Sequence, residues 1–185
     1  MSGQLSHPEP IESEPRADRP ARRRLLADIL AILATSLVVG VVAGFVWERI
    51  WTPPTGAAFQ GKWILDGDGL PKDFSSTGIY VLVAVVAGLL VGTVTSLAFD
   101  HDEVVTLAAI VVGSLVATAV MWWVGTTLGP PDPAVLAKTA DDFEPIVGDL
   151  GVSGKGAFCA LPFGAVLSAA AVFFFKPPRR GPGPR

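Results

Sequence analysis

The residues whose types and spacing could take part in chemistry are concentrated in one acidic segment. Asp66, Asp68 and Asp73 follow one another across two glycines, a pattern that superficially suggests a calcium loop. The segment lacks the third acidic position of an EF-hand and the bidentate glutamate at position twelve. Solvated loop charge is therefore the favoured interpretation. A weak divalent-cation site shared with the acidic residues of 132–149 is the alternative.

The side chains that enzymes and metal centres use most often are few and scattered. His7 and His101 are far apart in sequence and Cys159 is the single cysteine, so no set of His and Cys ligands exists. Ser75, Ser76 and Ser153 have no histidine on their side of the membrane in the topology derived below, and a serine nucleophile needs a base. We expect no catalytic residue, no metal ligand and no cofactor, and we expect that the protein is not an enzyme.

The composition places the chain in a membrane. Half of the 185 residues are hydrophobic and only 17% are charged, which is too few for an ordinary soluble surface. The net charge of -3 argues against a nucleic-acid partner, and one cysteine excludes a disulfide scaffold. The remaining class is an integral membrane protein.

Four segments are long enough to cross a bilayer as helices. A helix of about 20 residues spans a hydrocarbon core of about 30 Å, and lipid cannot satisfy unpaired backbone groups. The sequence predicts an all-α polytopic fold of four transmembrane helices arranged as two antiparallel hairpins with two extracytoplasmic loops. The predicted spans are 25–47, 78–99, 104–128 and 156–175, and the outer loops are 48–77 and 129–155.

The distribution of cations predicts the orientation. The two tails hold nine lysines and arginines, and the two longer loops hold five, so the positive-inside rule places both termini in the cytoplasm. All five tryptophans fall at or beyond the ends that this topology places outside, as an interfacial belt requires. The 25–175 domain is flanked by tails, 1–24 and 176–185, that we expect to be disordered.

The outer loops supply the expected contact residues. Each loop follows tryptophans, begins with a Pro-Pro pair and then turns acidic. We expect a short helix from Val135 to Phe143, lying on the outer surface. The candidate loop contacts are Lys62, Asp66, Asp68, Asp73, Lys138, Asp142 and Asp149.

Small residues recur at every fourth position of each span. At helical spacing they form one smooth stripe per helix, where backbones can approach closely. Packing inside a four-helix bundle is the favoured interpretation, and a dimerisation face is the alternative. The candidate packing positions are Gly40, Gly44, Gly88, Gly92, Gly113 and Gly164.

A shift of 76 residues superposes the two halves of the chain. It gives ten identities over the 53 positions from 47 to 99, among them Trp47 with Trp123 and Gly88 with Gly164. An ancestral duplication would relate two hairpins by a pseudo-two-fold axis along the membrane normal. A chance match in a chain rich in Ala, Val, Gly and Leu is the alternative.

The spans contain almost no ionisable group. Asp28 lies four residues after Arg24, at the spacing of a helical ion pair near the headgroups, and this pairing is favoured over a role in proton or ion movement. Otherwise a solute crossing the membrane would meet only hydroxyl groups, such as those of Thr93, Ser96, Ser114 and Thr118.

Several segments together resemble a known family. They are Gly44-Phe45-Val46-Trp47, Asp66-Gly67-Asp68, the run Val86–Gly92 and the run Ala160–Ala165. Over residues 25–175 the chain resembles a family of uncharacterised four-span membrane proteins of actinobacteria, known as a domain of unknown function. The resemblance implies a plasma-membrane location and four helices, and it supplies no activity.

The expected partners are the lipid bilayer and a membrane or cell-envelope protein, with a homo-oligomer as a further possibility. Two substantial outer loops beside spans without catalytic groups favour a non-enzymatic accessory or scaffold subunit. The alternative is a small oligomeric channel or transporter built around the hydroxyl-bearing faces.

Overall fold

A computed structural model describes residues 19–67, 69–99 and 103–175. Four of its helices are long and apolar enough to cross a membrane. The elements in chain order are α1 (Arg19–Ile50), β1 (Thr55–Phe59), β2 (Lys62–Leu65), α2 (Gly69–Ala98), α3 (Glu103–Leu128), α4 (Pro133–Leu136), β3 (Pro145–Val147), a 3₁₀ segment (Lys155–Cys159) and α5 (Ala160–Phe175).

Two helices begin earlier than the hydrophobic segments alone indicate. The α1 helix begins at Arg19, so the expected disordered tail is wrong for residues 19–24. The α2 helix begins at Gly69 instead of residue 78. Pro20 and Pro71 lie in the first turns, where backbone N–H groups have no partner within the helix and proline is tolerated. The remaining expected tail residues, 1–18 and 176–185, lie outside the described residues.

The outer loops contain β-structure, so the all-α expectation is wrong for them. Gln60 and Gly61 have φ values of 51° and 71° and connect β1 to β2. Two consecutive positive φ values at a two-residue turn suit the twist of an antiparallel hairpin. On the other side β1 pairs antiparallel with β3, which gives the strand order β2-β1-β3.

The short outer helix lies nearer the start of its loop than expected. It runs over Pro133–Leu136 instead of 135–143. The Asp132 side chain accepts a hydrogen bond of 2.8 Å from the amide of Ala134, and Pro133 occupies the first turn. An aspartate cap followed by proline is a strong helix start, and it sets the beginning of α4.

The closest helix packing joins two parallel pairs, α1 with α3 and α2 with α5. In the first pair Gly40 lies against the backbone of Ala117, and Gly44 lies against the backbone of Met121. Added Cβ atoms would stand 2.7 Å from the carbonyl oxygens of Ala117 and Met121. Contacts whose residue numbers rise together along both helices mean that the helices run in the same direction.

The second pair shows reciprocal contacts at an offset of 76 residues. Gly88 lies against Leu161, and Gly164 lies against Val85. Adding 76 to 88 gives 164, and subtracting 76 from 161 gives 85, so the two contacts are exchanged between the halves, as a two-fold related repeat predicts. The outer loops do not follow this rule, because the β1–β2 hairpin has no counterpart in 129–154.

The six candidate packing glycines all lie in these two seams. Gly92 lies against Ala165 and Ser168, and Gly113 lies against Ser36, in addition to the contacts of Gly40, Gly44, Gly88 and Gly164. The small-residue stripes therefore bring together helices of one chain, and the six glycines are covered by neighbouring helices of that chain.

Candidate interaction surface

The outer loops fold into one unit, here called the cap (residues 51–67 and 129–154). One face of its sheet packs on the segment around α4, through a small core of Ala58, Ala137 and Ile146. Trp63 packs against this core and donates a hydrogen bond of 3.2 Å from Nε1 to the carbonyl of Ile146. The two loops are thereby joined by backbone pairing, side-chain packing and a long-range hydrogen bond.

Two hydrogen bonds join the cap to α2, and a third joins α1 to α2 at the same junction. The Trp47 indole Nε1 donates to the carbonyl of Ser76 at 3.1 Å. The Ser76 hydroxyl donates to the carbonyl of Gly151 at 2.6 Å, and the amide of Ser153 donates to the hydroxyl of Thr77 at 2.8 Å. The Trp47 and Ser76 side chains are both buried, so water competes little for the two bonds that they donate. The cap therefore has a defined position on the bundle.

We expect Ser76→Ala to loosen the cap without unfolding the helices. The change leaves the half-buried Gly151 carbonyl without its donor, which costs about 1 kcal/mol. Hydrogen exchange should accelerate in 145–154 and stay unchanged within α1 and α3. The matched control is Ser75→Ala, since the exposed Ser75 hydroxyl bonds only the carbonyl of Lys72 three residues earlier. Equal exchange in the two variants would contradict the proposed anchoring role.

Four of the five tryptophans divide into two groups, so the expected belt is wrong for part of the set. Trp47 is fully buried and Trp51 is 6% exposed, both in the core that joins cap and bundle. Trp122 and Trp123 are exposed, which fits an interfacial position. The indole of Trp47 is buried because it packs edge-on against Tyr80, with ring centroids 4.9 Å apart.

The opposite face of the cap sheet is uncovered. The strand register places Ala57 beside both Ile64 and Pro145, and it places Phe59 beside Lys62. The exposed fractions are 37% for Phe59 and 51% for Ile64. We call this surface the sheet face; its members are Thr55, Ala57, Phe59, Lys62, Ile64, Pro145 and Val147. Five of the seven side chains are apolar.

A shallow groove of about 580 Å³ runs along the sheet face. Phe143 forms one side of it, 74% exposed, with its ring centroid 5.4 Å from that of Phe59. Its φ of 71° is a left-handed conformation that bulky residues rarely adopt, and its amide donates to the carbonyl of Ala58 at 2.7 Å. An exposed aromatic ring in a strained backbone conformation lowers stability, and such strain concentrates at functional positions.

We expect Phe143→Asn to stabilise the cap. Asparagine tolerates the left-handed conformation better than phenylalanine, and little packing is lost because the ring is mostly exposed. The free energy of unfolding should rise by about 0.5–1 kcal/mol. Thermal unfolding of the purified protein in detergent checks this, with Phe74→Asn as a control at a 70% exposed helical phenylalanine. A lower midpoint for Phe143→Asn would mean that the ring contributes to folding.

The candidate loop contacts surround the cap but do not converge on one point. Asp66 lines the groove and accepts a 2.7 Å hydrogen bond from the Thr55 hydroxyl. Asp142 accepts a 2.8 Å bond from the amide of Gln60 and so joins the two loops. Lys62, Lys138 and Asp149 are exposed; Asp73 belongs to α2, and Asp68 lies outside the described residues.

Within the described part of the chain, no group of three or more His, Cys, Asp and Glu side chains is placed to hold a metal ion. Cys159 is exposed in the 3₁₀ segment, and Asp28 is half-buried in α1. The Glu48 carboxylate lies 3.3 Å from the guanidinium of the neighbouring Arg49. These positions do not form a catalytic arrangement with one another.

The hydroxyls of the spans are mostly turned toward their own helices. Ser114 donates to the carbonyl of Val111 at 2.8 Å, and Thr118 donates to that of Ser114 at 2.8 Å. Ser96 is fully buried, and its hydroxyl has no partner among the residues described. Thr93 is half-buried. These groups lie inside one bundle instead of forming a polar stripe on its outer face.

Comparisons with family models, curated proteins and solved structures returned no match. The function is therefore inferred from the geometry of the cap. The sheet face is the feature that sequence reasoning missed. Its signal is the Gln60-Gly61 pair between two short segments with β-forming residues, a typical hairpin pattern.

Proposed function

We propose that this protein is a non-enzymatic accessory or scaffold subunit of the plasma membrane, with both termini in the cytoplasm and the cap outside. The observation that carries the proposal is the sheet face: an exposed apolar surface on a cap that is held in place on a membrane-spanning bundle. Exposed apolar patches on a defined unit are typical of protein–protein contact. The bundle supplies the anchor, and the cap supplies the contact.

The location of the cap outside the cell follows from charge. The cation-rich tails remain on the cytoplasmic side by the positive-inside rule, and four spans return the chain to that side. Both loops that form the cap then lie together on the other side. Their joining in one sheet is consistent with this topology, because segments on opposite sides of a membrane cannot pair.

The packing of the helices favours a contact through the cap over one through small-residue stripes. The six stripe glycines already contact other helices of the same chain. A homo-oligomer formed through the helices would therefore have to use larger side chains of the lipid-facing surface, such as Leu82 and Leu90, which are 68% and 56% exposed. Because these side chains are large, two such surfaces cannot bring their helix backbones as close together as a GxxxG motif does.

The alternative function is a small oligomeric channel or transporter. Its polar groups, the span hydroxyls described above, would need to line a path between subunits, but Ser96 and Ser114 are fully buried within the bundle. Ion or solute flux through reconstituted vesicles, lost on Ser96→Ala and Ser114→Ala, would favour this alternative over the scaffold.

The test of the proposal is purification from native membranes in a mild detergent, with crosslinking through Lys62 and Lys138 and determination of mass. We expect an assembly that contains this 19.3 kDa chain and a second protein in fixed ratio. A preparation that contains only one or several copies of this chain would contradict it.

A further inference from the structure

We propose that the sheet face binds an apolar segment of another protein that is flanked by lysine or arginine. This inference rests on the proposed scaffold function and adds the chemistry of the partner. The groove supplies the apolar contact through Phe59, Ile64 and Phe143. The charge around it selects the occupant.

The surroundings of the groove are acidic. Asp66 lines it, no lysine or arginine is among its lining residues, and Asp142 and Glu144 stand on either side of Phe143 in the chain. Lys62 lies on the sheet face beside Phe59, but over the cap as a whole six carboxylates stand against the two lysines Lys62 and Lys138. An apolar surface inside an excess of negative charge is complementary to an apolar segment that carries positive charge at its ends.

The structural hydrogen bonds of these carboxylates do not remove their charge. Asp66 accepts from the Thr55 hydroxyl, Asp142 from the Gln60 amide and Glu144 from the Asp141 amide, at 2.7, 2.8 and 3.1 Å. All three donors are neutral. The cap therefore keeps an excess of carboxylates over lysines, with Asp66 at the groove, and this excess can attract a cationic partner.

The same charge argues against two other occupants. A membrane surface with anionic lipids would repel the acidic cap, so insertion of Phe143 and Ile64 into headgroups is disfavoured. A second copy of this chain, docked face to face about a two-fold axis, would bring like carboxylates such as Asp66 together. A protein segment of opposite charge meets neither obstacle.

Phe143 supplies the most exposed apolar contact of the groove. Its ring forms one wall of the groove. Its backbone is in the left-handed conformation, where Gly or Asn would make the folded protein more stable than an exposed phenylalanine does. Aromatic residues of this kind are frequent anchors of interfaces. We expect Phe143→Asn to weaken partner retention at least about tenfold while the thermal midpoint rises or stays constant.

Replacing a carboxylate at the groove by an amide of the same shape tests whether the groove selects a cationic partner. Asp66→Asn keeps an oxygen acceptor for the Thr55 hydroxyl and removes one charge at the groove. We expect retention of the partner to fall about tenfold at low salt and less at high salt, because salt screens the wild-type attraction. Asp132→Asn is the control, because Asp132 caps α4 and does not line the groove.

The deciding experiment places a photo-crosslinking amino acid at position 64, and at position 135 as a control, in the full chain in native membranes. Val135 is 60% exposed on α4, away from the groove. We expect position 64 alone to yield a peptide of another protein, with an apolar centre and Lys or Arg at its ends. A crosslinked peptide that is acidic or uncharged, a second copy of this chain, or a lipid would each overturn the inference.

Copurification in the same cells separates the two proposals. If a second protein copurifies in fixed ratio but position 64 yields no crosslink to it, the sheet face is not its docking surface and the scaffold proposal stands. If no second protein copurifies, the scaffold proposal fails and this inference fails with it.

Discussion

Gly88→Val should lower the free energy of unfolding by about 3 kcal/mol or more, the larger end of the range for overpacked sites. An added Cβ at residue 88 meets the backbone of Leu161 and Ala165, and backbone atoms of a packed helix cannot move aside cheaply. The α2 and α5 helices would have to separate along their whole seam. Chemical unfolding of the purified protein in mixed micelles measures the change.

The matched control is Gly78→Val in the same helix. Nothing lies within 4 Å of an added Cβ at residue 78, so the change should stay within about 0.5 kcal/mol. Gly164→Val should resemble Gly88→Val, since its Cβ would stand 2.7 Å from the carbonyl oxygen of Val85. Equal stability of the residue 78 and residue 88 variants would mean that α2 and α5 do not pack in this way.

Trp47→Ala should cost about 3–5 kcal/mol, as expected for removing a fully buried large aromatic side chain. The indole packs against Gly125 and Tyr80 and donates to the carbonyl of Ser76, so the change removes contacts among α1, α2 and α3 at once. We expect a lower thermal midpoint together with faster proteolysis of the cap.

Trp123→Ala provides the comparison for Trp47→Ala. Trp123 stands 76 residues later in the chain and is 62% exposed, so its removal should change the free energy of unfolding by less than about 1 kcal/mol. If the two alanine variants lost equal stability, the burial of Trp47 between cap and bundle and the exposure of Trp123 would both be contradicted.

The helix bundle follows from the sequence because its signal is local. Apolar segments of about 20 residues without charge predict spanning helices by length and composition. The four spans therefore appear where the chain is apolar. Helix ends depend on weaker preferences, and Arg19 and Gly69 begin helices in segments that the hydrophobic pattern assigns to a tail and a loop.

The cap could not be built from the sequence in the same way. Its sheet joins β1 to β3 across about 90 residues, and such pairings leave no local periodic signal. The strands have only three to five residues each, too short for alternation to be distinctive. Acidic residues such as Asp66 and Asp142 stood out as loop contacts, whereas the apolar surface that they surround depends on strand register.

The most direct test of the scaffold account is the mass of the native assembly for wild type and for Ile64→Lys. Ile64 is 51% exposed in the middle of the sheet face, so the change should not alter the thermal midpoint. Because the substitution places a cation where an apolar segment with cationic ends docks, we expect the variant chain to purify without its partner. A variant that keeps the wild-type assembly mass, or a Val135→Lys control that loses the partner equally, would contradict the assignment of the sheet face.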